Sequence, residues 1–511
     1  MAERWWRRGT VVALAAALAA LVYGLVRYLA VADRAVHFPF EIDYGEGIVW
    51  QQMRLIMAGQ GYGPIDGWPA IVFHYPPVYH LLAGWTAALA GMDQLAAGRL
   101  VSIGCTLIAA GLVAVISAGL ARAEAGAVAR WGGGVLAALI LIDIEPVRAW
   151  SLVMRVDMVF IALSLGGLWC GLRAVTRPGY AVAAGLLFVA AIYTKQSALA
   201  APAAVFGTLL VLRPRAAVVG IGTAIVGGLV VAALVMAGTR GDFFRHLVVY
   251  NVNPVHWGQL PQILLPNLIQ NLTYVAIGYL AVFRWRPTRH SLLANPADAR
   301  FAMVVVYLAL TMLMLLMLAK SGASFNYLIE WMCLLAMFAG VTLAEVLAAA
   351  LARPGFAPDL LSVLIPAAVA VQVLATIDVV DEDFTRRVRE APAAAQVVAM
   401  IRATPRPVIS DDMVALLRAG KPVLWEPTIF TDLTAEGRWD EQPLLARIRA
   451  RQFGFFVTYV GSCDLASDKR YSPAVRRAVA AGYPVARRLA GYCVHMPAGA
   501  PEIAGGGVKS R

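Results

Sequence analysis

The sequence predicts a polytopic α-helical membrane protein of about 11 transmembrane helices with a small C-terminal extracytoplasmic α/β domain. Three observations predict it. Hydrophobic residues make up 60% of the 511 and charged residues 14%, with a mean hydropathy of +0.70, whereas a soluble domain carries about 25% charge. Apolar runs near the roughly 20 residues that cross a bilayer recur over the first three-quarters of the chain. The charge is also unevenly spread: residues 1–380 hold 24 Lys/Arg and 17 Asp/Glu, and residues 381–511 hold 19 and 14. The expected division is therefore a membrane domain at 1–380, a soluble α/β domain at 381–496 and a disordered Gly/Ala-rich tail at 497–511.

The spans are expected at 11–32, 98–121, 131–147, 156–173, 179–194, 197–212, 216–238, 264–283, 301–319, 326–350 and 359–379. The run 78–91 is too short to cross and follows Pro76-Pro77, so it is expected to lie as an interfacial helix. Arg4, Arg7 and Arg8 precede the first span and place the N-terminus in the cytoplasm by the positive-inside rule. Alternation then puts Arg122 and Arg130, Arg173 and Arg177, Arg213 and Arg215, Arg284, Arg286 and Arg289, and Arg353 in short inner loops. An odd number of spans sends the C-terminal domain to the outer, periplasmic or extracellular side. Ala30-Val31-Ala32 also resembles a signal-peptide cleavage site, but the long apolar stretch and the later spans favour a retained helix. In the soluble part, 383–403, 441–451 and 473–481 read as helices. Pro407–Ser410, Pro422–Trp425 and Phe453–Val460 read as short strands.

Net charge +12 does not point to nucleic acid. The basic residues form no patch; they sit in short clusters between apolar runs, where topology signals belong. Cys105, Cys170 and Cys333 fall inside apolar runs as small core residues. Cys463 and Cys493 lie in the soluble domain, where a disulfide requires an oxidising compartment. There is no CxxC or Cys/His zinc spacing, no Walker A and no dinucleotide fingerprint.

The outer loop 33–80 is the most unusual segment. Its acids are Glu41, Asp43, Glu46 and Asp66. Asp43 and Glu46, three apart at the start of a helical stretch, can share a cleft; a partly desolvated carboxylate there can act as a general base towards a hydroxyl. Helix capping by acids accounts for the same pair. His74 and His80 flank Tyr75-Pro76-Pro77-Val78-Tyr79 and can touch a polar substrate, or serve as ordinary interfacial histidines. Lys195 and Lys320 are the only lysines before residue 381. With Arg148 and Arg155 they fall at the predicted outer boundary, beside Asp157, and cations there go against the topology trend. Phosphate is the natural partner of such cations; lipid headgroup contact is the alternative. Asp157 and Glu330 lie just inside spans, where ionisable groups are costly and usually functional; pairing with Arg155 or Arg148 is the alternative role for Asp157.

Asp43-Tyr44-Gly45-Glu46-Gly47, Arg54 eight residues beyond Glu46, and Tyr75-Pro76-Pro77-Val78-Tyr79 resemble the outer loops of the GT-C glycosyltransferases, in the group of the bacterial aminoarabinose transferase and the protein O-mannosyltransferases. Arg155-Val156-Asp157, Thr194-Lys195-Gln196 and Asn326-Tyr327 with Glu330 are similar to that group as well. Glu426–Phe430 through Gly437–Asp440 is similar to tails on some uncharacterised members. The resemblance implies a GT-C-like fold and an inverting transfer of a sugar from a polyprenyl-phosphate donor to a lipid, glycan or protein acceptor, at the outer face of a bacterial inner membrane. Asp43 or Glu46 would be the base. Arg54, His74, Tyr75, Tyr79, His80, Arg155, Asp157, Lys195, Lys320, Asn326, Tyr327 and Glu330 would bind substrate. The family's adjacent Asp-Glu pair is split here by Tyr44 and Gly45; two residues of loop slack make Asp43 the preferred base. The donor is a substrate, so no cofactor is expected, and a divalent metal stays open. A transporter or flippase of lipid-linked sugars, or a non-catalytic envelope-assembly subunit, are the competing readings; charges at one boundary rather than the midplane argue against a transporter.

Overall fold

The structure is a computed structural model and describes residues 2–251, 253–459 and 463–499. Most of the predicted tail, from 500 on, lies outside the described residues. A bundle of membrane helices carries a cap built from the loop 33–80 and the C-terminal domain.

The eleven predicted spans all fall on helices, but not all of those helices can cross alone. Among the described residues, eight helices are long and apolar enough. They include α1 (Ala2–His37), α4 (Gln94–Leu120), α5 (Gly126–Asp143), α7 (Asp157–Ala174) and α10 (Pro214–Gly238). The expected span 264–283 is two helices, Gln259–Gln270 and Leu272–Arg284, bent by 84° and counted as a ninth span if taken together. The expected spans 179–194 and 197–212 are α8 (Tyr180–Ile192) and α9 (Ala200–Leu212), each 13 residues. At 1.5 Å per residue each reaches only about 20 Å, short of a bilayer core of about 30 Å. Hydropathy sees apolar length but not the turn at 193–199 that breaks it.

Helix Ile329–Ala350 is the centre of the bundle, with nearly every side chain buried. It approaches α5 closely because both carry glycine at the crossing: a Cβ on Gly133 would stand 2.3 Å from the Gly340 carbonyl oxygen. Small residues allow this approach where lipid supplies no hydrophobic drive. By contrast α10 has few buried residues, as suits a lipid-facing helix.

The C-terminal domain has a four-stranded sheet in the order β1-β2-β4-β3, with β1 (Ile409–Ser410) parallel to β2 (Phe456–Thr458). The hairpin β3 (Val485–Leu489)–β4 (Tyr492–Met496) completes it antiparallel. Because side chains alternate across a strand, Ile409 and Phe456 face one core with Phe430, Ile448 and Val479. Val457 and Val494 face the other, where Val49 and Met53 of α2 (Glu46–Met57) join them. A helix from the loop 33–80 thus completes the C-terminal domain's core. Arg418 reinforces the junction by bidentate pairing with Asp93 at 2.6 and 2.9 Å, and Ala70 pairs as an isolated bridge with Trp425. Cys463 and Cys493 form a disulfide. The expected strand at Pro422–Trp425 is only that bridge, and helices Met413–Arg418 and Pro427–Ala435 lie to either side.

Candidate active site

Asp43 and Glu46, the two acids of the loop 33–80 expected to share a cleft, have different surroundings. Gly45, at φ 132°, turns the chain into α2 in a conformation that glycine alone adopts without cost. The turn sends Glu46 inward. Its Oε1 accepts from Arg99 Nε and Met154 N, both at 2.8 Å, and its Oε2 from Arg99 Nη2 at 2.7 Å and Ile42 N at 2.8 Å. Both side chains are fully buried. Arg99 also donates to the carbonyls of Ala35, Phe38 and Phe40. Burial alone pushes the Glu46 carboxyl up, but the Arg99 guanidinium and the two backbone N–H groups hold it below the usual carboxylate range. Glu46 is a clamp that fixes residues 35–46 to α4.

Asp43 faces the other way and is part-exposed. Its Oδ2 accepts from Arg155 Nε at 2.9 Å and Nη2 at 2.6 Å. Gly45 makes this possible: a Cβ there would lie 2.5 Å from the same guanidinium. The Arg155 guanidinium lies 5.6 Å over the Trp150 ring, and Trp150 Nε1 donates to Asp157 Oδ2 at 2.7 Å. Asp157 Oδ1 accepts from Lys195 Nζ at 2.7 Å and Asn326 Nδ2 at 2.9 Å. The Lys195 ammonium is in turn 4.6 Å over the Tyr327 ring and 5.0 Å over Phe160. One continuous polar chain therefore joins residues drawn from four separate regions of the sequence: Asp43, Arg155, Asp157, Lys195, Asn326 and Tyr327.

The Pro-Pro segment lies on the turn that carries Lys195. Gln196 Nε2 donates to the His74 carbonyl at 2.8 Å, and Val78 N to the Tyr193 carbonyl at 3.1 Å. Burial pushes the hydroxyl of Tyr75, on that segment, above its usual range, against the Lys195 cation, which draws it down. Above Asp43 opens a cavity of about 230 Å³. Its walls are α6 (Glu145–Ser151), through Glu145 and Trp150, the Ser324–Phe325 turn, and helix Val379–Ala403. Burial, and then the Asp383 carboxylate, push Glu145 up to about 7. A second, apolar groove of about 280 Å³ begins beside Gln196 and runs along Val189, Ile192, Tyr193 and Phe243.

Other expected residues stand apart. Arg54 is on the exposed face of α2. Tyr79 is fully buried and donates to the Gly98 carbonyl. His80, also fully buried, faces Gln52, and burial lowers it to about 4. Glu330 accepts from Tyr307 one turn beyond Asn326. Lys320 is held elsewhere through its backbone, by a bridge to Val255 and a bond from Gln259. Arg99 and Trp150 were not expected. Arg99 reads as the polar flank of a span, and the indole that joins Arg155 to Asp157 carries no charge to mark it.

No family profile and no curated protein sequence matches the chain. Among solved structures, ArnT from Cupriavidus metallidurans bound to undecaprenyl phosphate is similar, with a TM-score of 0.59 and 15% identity over 94% of this chain and 99% of that one. The apo state of the same protein gives 0.58 at 15% identity, over 92% and 97%. The archaeal oligosaccharyltransferase AglB from Archaeoglobus fulgidus, in complex with an inhibitory peptide and a dolichol-phosphate, gives 0.51 at 12% identity, over 93% and 74%. The likeness establishes a GT-C-like fold: a multi-pass helical membrane domain capped by a small soluble domain.

Proposed function

We propose that the chain is an inverting glycosyltransferase that moves a sugar from a polyprenyl-phosphate donor to an acceptor hydroxyl at the outer face of the bacterial inner membrane. The observation that carries this reading is the polar chain that runs from Asp43, on the cavity wall, to Lys195, in a fold shared with proteins solved with undecaprenyl phosphate and dolichol-phosphate.

Asp43 is the general base. Unlike Glu46, both of whose oxygens are taken by Arg99 and backbone N–H donors, it keeps one oxygen free of the Arg155 contacts and borders the cavity. It takes the proton of the acceptor hydroxyl as that oxygen attacks the anomeric carbon, on the face opposite the departing phosphate. Arg155 and Lys195 stabilise the charge growing on the leaving polyprenyl phosphate. Asp157, Trp150 and Asn326 hold these cations in place beforehand, so that little reorganisation is needed during the reaction. The apolar groove beside Gln196 takes the first part of the lipid tail. A disulfide in the C-terminal domain fits the oxidising, outer side, with the N-terminus in the cytoplasm.

The test is transfer by the purified protein from a polyprenyl-phosphate sugar, comparing wild type with Asp43→Asn. Loss of turnover with retained folding supports the assignment; an unslowed Asp43→Asn removes Asp43 as base.

A further inference from the structure

The helix that connects the last membrane span to the soluble domain, Val379–Ala403, is one wall of the cavity over Asp43. Val379, Asp383, Phe384 and Arg387 line it opposite Glu145 and Trp150 of α6. The first turn of this helix is gripped by two arginines from the membrane domain. Arg148, on α6 between the lining residues Glu145 and Ala149, donates through Nη2 to the Ile377 carbonyl at 2.8 Å and to Asp381 Oδ1 at 3.4 Å. Arg27 of α1 pairs with Asp381 Oδ2 and, at 3.0 Å, with Asp378 Oδ1. Asp381 is itself buried, and among the described residues it alone receives both guanidiniums.

The grip is one-sided. Among the described residues, Arg148 Nε and Nη1 are buried without a hydrogen-bond partner, and so is Asp143 Oδ1, which lies 4.0 Å from Nη1. A guanidinium placed to stabilise the bundle alone would close on Asp143; this one is drawn instead towards the helix of the soluble domain. Acids in a first turn also favour the helix dipole, but that effect requires neither a buried position nor two arginines from different helices. Three residues on from Asp381, Phe384 packs edge-on against Phe38 at 5.6 Å, so the same turn also meets the outer loop.

We propose that Asp381 is a positioning residue: by tying α6 and α1 to the first turn of the soluble domain's helix, it sets the width of the cavity through which the acceptor reaches Asp43. The inference rests on the transferase reading above. It assigns the soluble domain a part in acceptor binding and none in donor binding, since Lys195 and the apolar groove lie on other elements.

The experiment uses the full chain purified in detergent, as wild type, Asp381→Asn and Asp381→Glu. In Asp381→Asn, acceptor KM should rise by at least about tenfold while donor KM stays within about twofold, and Asp381→Glu should recover most of the loss. A second readout needs no turnover. Ala149→Cys places a thiol in the cavity wall, and its alkylation should be faster by about tenfold when Asp381→Asn is added, because the wall is no longer held. A purely structural residue would lower the folded fraction and leave KM and labelling rate per folded molecule unchanged, and that result overturns the proposal. Wild-type protein that transfers no sugar overturns the transferase reading and this inference with it. Wild-type transfer with an Asp381→Asn variant of unchanged acceptor KM and labelling overturns this inference alone.

Discussion

Substituting Glu46 by Gln separates the two acids of the outer loop. The ion pair with Arg99 is fully buried on both sides, so the change leaves Arg99 charged in the interior. It is not left bare, because three backbone carbonyls still accept from it. The amide keeps one acceptor oxygen, but its NH2 must face the Arg99 guanidinium, the N–H of Met154 or that of Ile42, donor against donor. Two charge-assisted bonds are lost at about 1.5–3 kcal/mol each, in line with the roughly 3–5 kcal/mol typical of breaking a buried pair. Asp43→Asn breaks a single part-exposed pair and should cost under about 1 kcal/mol. Unfolding of the purified protein by heat or denaturant, with transfer measured per folded molecule, gives both quantities. Glu46→Gln should be strongly destabilised, and the fraction that stays folded should retain catalysis. A Glu46→Gln protein as stable as wild type but without turnover would refute the reasoning and make Glu46 the base.

Gly45→Ala should slow transfer by about 10²-fold, because the new Cβ meets Arg155 at 2.5 Å in a conformation alanine resists and displaces the cation from Asp43; kcat within twofold of wild type would contradict this. Reducing the Cys463–Cys493 disulfide, which spans 30 residues, should cost the soluble domain about 3–4 kcal/mol by the loop-entropy relation. Denaturant unfolding with and without reductant checks it, and coincident curves would count against a structural bond.

What the sequence made legible was charge in places where charge is expensive. Arg155 and Lys195 stood out against the topology trend and Asp157 stood inside a span; the structure brings these three together with Asp43. Lys320 stood out by the same criterion and is held elsewhere, since the criterion registers depth in the membrane but not position around the bundle. Arg99 escaped notice because its partner, Glu46, is 53 residues away, a pairing that no local pattern encodes. The split between Asp43 and Glu46 looked like loop slack; the structure gives Gly45 a purpose, the close approach of Arg155. In the soluble domain, helix 383–403 and the strand near Phe456 were legible from apolar periodicity. The β3–β4 hairpin was not, because Arg487 and Arg488 interrupt the apolar pattern of an edge strand whose side chains are mostly exposed.

The most direct test of the central claim is the release of polyprenyl phosphate from a polyprenyl-phosphate sugar, coupled to the appearance of that sugar on an envelope acceptor, by wild type and by Asp43→Asn. Wild type should produce both together, and Asp43→Asn should lower both by at least about 10²-fold while still binding donor. Wild-type protein that carries lipid-linked sugar across vesicles without ever releasing the carrier, or an Asp43→Asn variant as fast as wild type, would contradict it.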